Sequence, residues 1–289
     1  MIDQHQSEAK KTGAILVSCC GFDSIPSDLG VSYLQRQAKQ KFGNPCQEIT
    51  MFVKDIKGGV SGGTLASLLN IFSETQNDKQ LVKLLGDPYA LNPTNKREGK
   101  RTPDQKGVRF NSKIYAWTAP FVMAFINTRV VRRTNALLGY PYGSDFAYYE
   151  TMSCGWGLLG WCRAAIMSSG QSIFLLLCAF SFTRRNIVQR LVPKPGDGPN
   201  QKKRKTGYFV LLFHGKLASG ESIKLRVTGD LDPGYGSTSK MIAESAVCLA
   251  NYDLGIEGGC WTPASAMGPQ LQQRLTANSG LSFVIEDGS

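Results

Sequence analysis

The stretch Cys20-Gly21-Phe22-Asp23-Ser24-Ile25-Pro26-Ser27-Asp28-Leu29-Gly30 decides how this chain is read. It follows the short apolar run Ala14-Ile15-Leu16-Val17, whose length and β-branching predict a fully buried strand. Gly21 suits a tight exit turn. Ser24 suits the N-cap of a helix whose first turn tolerates Pro26, with Asp28 complementing the helix dipole. A polar cluster at the carboxyl end of a buried strand, leading into a helix, is where open α/β sheets place ligands. On geometry alone, an ordinary strand-to-helix turn explains the same residues equally well.

Outward from this turn, Asp28 to Phe42 reads as a helix ending near Gly43. Ile49, Met51 and Val53 alternate as in a half-buried strand. The strand runs into a glycine loop, Gly58 to Gly63, and a helix from Thr64 to Glu74. Lys79 to Leu85 reads as a further helical stretch, and Asp87 to Gly107 as a loop. Pro120 to Leu138 is apolar but interrupted by Arg129, Arg132 and Arg133, which predicts a buried helix with a cationic face. Pro193 to Lys205 reads as a polar, basic linker. Tyr208 to Phe213 and Ser222 to Thr228 form a predicted hairpin. Ser237 to Asn251 has helical spacing behind a Ser237 or Thr238 cap, Thr262-Pro263 starts another helix, and Leu281, Phe283 and Ile285 close the chain as a strand. The order of elements predicts an α/β chain with an α+β substrate-type domain: a mixed sheet with flanking helices.

Composition narrows the class. With 289 residues and 42% apolar content, the chain can bury a sizeable core and is not a disordered sequence. Eight cysteines without a Cys-x-x-Cys pair and two histidines argue against a zinc site or a Cys/His nucleophilic pair, so no metal is expected. Met1 to Thr12 is polar and carries no apolar signal core, so a cytoplasmic setting with reduced thiols is expected. The net charge of +11 is concentrated in two islands, Lys96 to Arg133 at +8 and Thr183 to Thr206 at +7. Neither island interleaves aromatics regularly with its cations, so no specific nucleic-acid partner is expected.

Three further features carry candidate chemistry. The glycine loop, with Ser61 inside it and Thr64 at the helix start, would expose backbone N–H groups to an anion or oxyanion. Close strand-helix packing explains the same glycines. It is not a Walker A loop, because Thr64 stands where the lysine must be. Asp232-Pro233-Gly234-Tyr235-Gly236 is a polar turn before a capped helix, and Tyr235 is its residue most able to reach a ligand. Residues 164–183 hold no charge and are bounded by Arg163 and Arg184-Arg185. They are long enough to span a bilayer, but Ser168-Ser169-Gly170-Gln171-Ser172 interrupts them, which favours a buried or interfacial helix beside anionic headgroups.

The opening stretch also resembles the signature of the saccharopine dehydrogenase-like oxidoreductases, the group that includes the trans-acting enoyl reductases. Four later blocks are similar in the same order: Lys57-Gly58-Gly59-Val60-Ser61-Gly62-Gly63-Thr64-Leu65-Ala66-Ser67, Asn127-Thr128-Arg129-Val130-Val131-Arg132-Arg133-Thr134-Asn135, residues 229–241, and Thr262-Pro263-Ala264-Ser265-Ala266-Met267-Gly268. The resemblance covers nearly the whole chain. It implies an NADP- or NAD-dependent oxidoreductase acting on a lipid or acyl-type small molecule, with enoyl reduction as the reaction. It implies that Cys20, Gly21, Asp23 and Ser24 lie by the cofactor, and that Gly59, Ser61, Gly62, Gly63 and Thr64 face the cofactor and substrate cleft. Asp23, Ser24 and Tyr235 are the catalytic candidates. The proton for the α-carbon would come from Tyr115, Tyr142, Tyr148, Tyr149 or a water, with no choice among them.

The chain departs from that pattern at its start. No Gly-x-Gly-x-x-Gly follows an early strand, so the dinucleotide-binding Rossmann domain is expected upstream of Met1. Residues 1–30 would be its last helix and strand, 31–260 the substrate domain with the apolar segment 164–183, and 261–289 a C-terminal helix and strand. The alternative is a noncatalytic lipid-surface protein that keeps the fold without the cofactor domain. An anionic membrane or lipid-droplet surface and a second copy of the chain complete the expected partners.

Overall fold

The computed structural model describes residues 1–286 except 60, 77, 98 and 195. Val60 of the glycine loop, Glu98 of the first basic loop, Pro195 of the linker and the last three residues, 287–289, lie outside the described residues.

Helix α1 (Ile2–Thr12) ends on Gly13 in the left-handed region and leads into β1 (Ile15–Val17). β1 pairs in parallel with β8 (Gly259–Trp261) as a separate two-stranded sheet. The expected full burial of β1 is not found: Leu16 is exposed, because no third strand joins the pair and α1 packs on β8. α2 (Ile25–Phe42) follows with Pro26 in its first turn, where a missing N–H costs nothing, and stops at Gly43 with φ 75.

A seven-stranded mixed sheet fills the centre, in the order β3 (Arg109–Asn111), β4 (Ala116–Pro120), β5 (Ala147–Ser153), β2 (Glu48–Lys57), β6 (Tyr208–Lys216), β7 (Ser222–Gly229), β9 (Leu281–Glu286). β2 and β5 are parallel, and the remaining neighbours are antiparallel. β2 was expected to be half-buried, yet Ile49 to Val53 are all buried. It lies mid-sheet with a partner on each side, and Lys113 reaches over Thr50. The predicted hairpin is β6–β7, and the closing strand is β9.

The helices α3 (Gly62–Thr75) and α4 (Lys79–Gly86) follow β2, and α5 (Ala124–Leu137) packs on β5 and α2. The expected cationic face of α5 is corrected by its burial. Arg132 donates to the Thr102 carbonyl at 2.8 Å and stands over the Tyr89 ring, while Arg133 donates to the Cys260 carbonyl at 2.6 Å. Both guanidiniums point inward because the loop of residues 87–107 and β8 offer them carbonyls to bind. α6 (Gly157–Ala179) continues through α7 (Ser181–Thr183), a π turn (Arg184–Val188) and α8 (Gln189–Leu191). The basic linker holds α9 (Gln201–Lys205), and α10 (Gly236–Asn251), α11 (Pro263–Ala266) and α12 (Gly268–Asn278) complete the chain. The main core lies between the sheet and helices α2, α10 and α12, around Leu29, Leu34, Met51, Phe213, Met241 and Leu271.

Candidate functional site

Three polar turns are linked in series from the end of β1. The first, residues 19–24, is pinned by Phe22, whose ring packs edge-on against Phe209 at 4.8 Å. The Phe22 N–H donates to Thr238 Oγ1 at 3.0 Å, and the Thr238 hydroxyl donates to the Pro233 carbonyl at 2.7 Å. Gly21 lies so near Thr238 that a Cβ there would stand 2.9 Å from Thr238 Cγ2. Pro233 in turn packs on Gly58, so the turn at 232–238 bridges the Cys20–Ser24 turn to the glycine loop.

Within the first turn, the predicted residues divide. Asp23 is exposed, and nearby chain raises its carboxyl above the ordinary range by partial desolvation. Cys20 is half-buried. Cys19 holds φ 62, unusual for a residue with a Cβ, and desolvation followed by the Asp23 charge pushes its thiol to about 11, so it is a neutral thiol and a poor nucleophile. Ser24 is fully buried and does not cap α2 with its side chain. Its hydroxyl donates instead to Asn127 Oδ1 at 3.0 Å.

That bond opens onto a buried polar network which sequence reasoning did not assign. Asn127 Nδ2 donates to Glu150 Oε2 at 2.9 Å, and the Tyr148 hydroxyl donates to Glu150 Oε1 at 2.8 Å. Burial pushes Glu150 to about 7, against the hydrogen bonds that favour its charge. Asp28, also fully buried, is pushed to about 7 for the same reason. Asp28 was expected to serve its own helix dipole. It instead accepts from Thr134 at 2.5 Å on α5 and from the Ala264 N–H at 2.8 Å, where α11 begins. The Thr134 and Thr262 hydroxyls are 2.6 Å apart, and Thr262 caps α11 reciprocally with Ser265. The signals for this network were present as an acid inside an apolar strand and as the polar residues of the 127–135 and 262–268 blocks.

The glycine loop is closed over. Gly62 N–H donates to the Asp197 carbonyl at 3.1 Å, and a Cβ on Gly62 would lie 1.8 Å from the Lys194 carbonyl oxygen. Gly59 packs against Pro199. Ser61 caps α3 by accepting from the Thr64 N–H at 3.0 Å, and the two side-chain hydroxyls are 2.8 Å apart. Gly63 alone among these glycines has room for a side chain, the nearest atom being Ser61 Oγ at 3.8 Å. Two of the loop's N–H groups are therefore already used, and Lys194, Asp197 and Pro199 act as a strap rather than parts of a free linker. Tyr235 belongs to the same strap: its hydroxyl donates to the Asp197 carbonyl at 3.0 Å. Neither Ser237 nor Thr238 caps α10. Asp232 does so, accepting from the N–H groups of Tyr235 at 3.1 Å and Gly236 at 2.9 Å.

Of the four tyrosines considered as proton donors, Tyr148 is joined to the turn through Glu150 and Asn127. Burial raises Tyr142 and Tyr148, and Tyr115 stands exposed on the β3–β4 hairpin. Two clefts lie elsewhere. One of about 590 Å³ is bordered by Lys83, Tyr89, Arg97 and Arg101, and one of about 450 Å³ by Lys54, Ser153, Cys154, Arg163, Ile166 and Met167.

The exposed Asp23 and half-buried Cys20 stand at the carboxyl end of a parallel strand pair, the end at which open α/β sheets place ligands. The pyrophosphate of a dinucleotide needs a strand, glycine turn and helix with free N–H groups. Among the described residues the strapped glycine loop does not offer that.

No family model and no solved structure matches this chain. Curated proteins do. The chain is 38% identical over 286 residues to a Mycobacterium tuberculosis protein provisionally named a trans-acting enoyl reductase, covering 96% of this chain and 68% of that one. It is 34% identical over 285 residues to the trans-acting enoyl reductase of Mycobacterium leprae and 32% identical to that of Mycobacterium ulcerans, each time covering 95% of this chain and 68% of the relative. This chain belongs to the trans-acting enoyl reductase family.

Proposed function

We propose that the chain is the substrate-side part of an NADP- or NAD-dependent, saccharopine dehydrogenase-like oxidoreductase that reduces the double bond of an acyl-type substrate. The carrying observation is the polar turn at the end of β1, linked to the 232–238 turn, with Asp23 exposed and Ser24 held inward through Asn127 and Glu150. About one third of the relatives' length lies outside their match to this chain, which supports a division of labour. The dinucleotide-binding turn belongs to the remaining length, residues 1–30 close that domain, 31–260 form the substrate domain, and 261–289 complete it.

A bound reduced nicotinamide would supply the hydride for the β-carbon, and a tyrosine or a water would supply the proton for the α-carbon. Cys20, Gly21 and Asp23 would hold the nicotinamide ring, Asp23 by accepting from the carboxamide. Ser24 is a positioning residue: its hydroxyl fixes the turn to α5, so that the main chain at 21–23 keeps its place under the ring. Glu150 acts through Asn127 in the same sense. The strap carrying Asp197 covers the glycine loop and would have to lift for Gly59, Ser61, Gly62, Gly63 and Thr64 to meet an anionic substrate group.

The test is oxidation of NADPH or NADH by the full-length protein against a panel of 2-enoyl thioesters of graded chain length. Turnover with at least one acyl substrate, and a loss on the order of tenfold or more in Asp23→Asn, is expected. No oxidation across the panel by folded protein would refute the reading. A noncatalytic role is the second reading, favoured by the strapped glycine loop. Failure to bind either dinucleotide, measured calorimetrically on the full-length protein, would put it first.

A further inference from the structure

The helix α6 presents its apolar side to solvent. Its four buried residues are small, Gly160, Ala164, Ser168 and Cys178, and these form the side that rests on the body. Half of the large apolar side chains exposed among the described residues lie between 156 and 191. Leu159, Ile166, Ile173 and Phe180 follow one another at intervals of seven, which turns the helix face by only about 20° per step. They make a single stripe along a helix about 34 Å long, with the exposed Trp156 at its start. A stripe of this extent on a soluble surface marks an interaction site.

Charge identifies the occupant. Residues 151–196 contain five cations and no aspartate or glutamate. Arg184 is used internally, donating to the Cys178 carbonyl at 2.9 Å, whereas Arg163, Arg185, Arg190 and Lys194 are exposed beside the stripe. Arg163 and Lys54 border the 450 Å³ cleft whose wall is completed by Ile166 and Met167 of α6. A cationic slot next to an apolar ridge is the pattern of an interfacial helix on anionic lipid. Pairing the stripe with that of a second copy would bring like-charged arginines together.

We propose that α6 to α8 form an in-plane docking surface for an anionic phospholipid bilayer, with the apolar stripe set among the acyl chains and a headgroup phosphate between Lys54 and Arg163. The helix does not span. Its first half is seated on β4, where Ala164 meets Ala119 and Cys154, and its second half on α3 and the π turn, where Cys178 meets Leu69 and Val188. Crossing the bilayer would drag the sheet edge into hydrocarbon. The inference is independent of the enzymatic reading.

The experiment is flotation of the protein with vesicles of phosphatidylcholine alone and of phosphatidylcholine mixed with phosphatidylglycerol. Wild-type protein should float with the mixed vesicles and be released by alkaline carbonate. The exposed-site variant I166E/I173E should lose at least tenfold in bound fraction, and Arg163→Gln about fivefold, while Ile242→Glu on α10 should bind as wild type. Circular dichroism confirms folding of each variant. Absence of flotation, equal flotation of I166E/I173E, or resistance to carbonate would each overturn the proposal. So would a wild-type dimer that I166E/I173E disperses without any vesicle binding, which would assign the stripe to a second copy.

Discussion

Helices α2 and α6 invert each other. α2 buries Ser27, Asp28, Ser32 and Gln35 among its apolar residues, and α6 exposes leucine, isoleucine and phenylalanine while burying small residues. The difference lies in what each helix is given to touch. Around α2, buried polar groups find partners on other elements: Gln35 exchanges two hydrogen bonds with the Cys46 backbone, at 2.9 and 2.7 Å, and Asp28 ties α2 to α5 and α11. Such a network is costly to break and fixes geometry, which is why the turn at 20–24 sits on it. Around α6, the sheet edge offers a shallow seat that takes small residues, and the large ones are left for another phase.

The sharpest way to break this contrast is Asp28→Leu. It leaves the Ala264 N–H buried without its acceptor and the Thr134 hydroxyl with Thr262 alone, and should cost about 3–5 kcal/mol in urea unfolding. A loss below about 1 kcal/mol would mean that the network does not hold the helices together. The pH dependence comes next. Burial raises Asp28 and Glu150 to about 7 from ordinary values of 3.8 and 4.5. Between those limits the native state keeps protons that the unfolded chain has released, so their contribution is fully present at low pH and is lost as pH rises through about 7. Glu150→Gln removes one such group, so its stability should fall less than that of wild type between mildly acidic and mildly alkaline buffer. Parallel profiles would show that Glu150 does not titrate there.

The legible part of this molecule was local. The ends of α2, the β6–β7 hairpin, the Thr262 cap and β9 each follow from residues within a few positions of one another. Partnership across the chain was not legible. Nothing near Ser24 announces that its hydroxyl is taken by Asn127, 103 residues away. Arg132 and Arg133 read as the cationic face of a buried helix because the carbonyls that receive them belong to a loop and to β8. The glycine loop read as open because the strap that closes it comes from Lys194, Asp197 and Pro199, in a stretch whose sequence suits a linker equally well. The 20–24 turn was found by its wording, and the network that gives it rigidity only by its contacts.

Gly30→Ala is a smaller probe of the α2 side. A Cβ there would stand 2.6 Å from Phe213 Cζ in the core. Alanine favours the helix by about 1 kcal/mol, but overpacking against a buried ring costs about 1–3 kcal/mol. A net loss of about 1 kcal/mol is expected, and a gain would show that Phe213 can move aside freely.

The smallest effect belongs to α6. Ile166 is 73% exposed, so Ile166→Gln removes almost no buried area and adds a polar group that water can reach. An ordinary core isoleucine would lose several kcal/mol on such a change, as buried contacts vanish and an amide is left unsatisfied. Here the urea midpoint should stay within the range of surface substitutions, about 0.5 kcal/mol either way. A loss of about 2 kcal/mol or more would mean that the α6 stripe is packed against something in the folded chain, and the inversion between the two helices would disappear. An unchanged midpoint would leave the stripe as apolar surface kept for a reason other than folding.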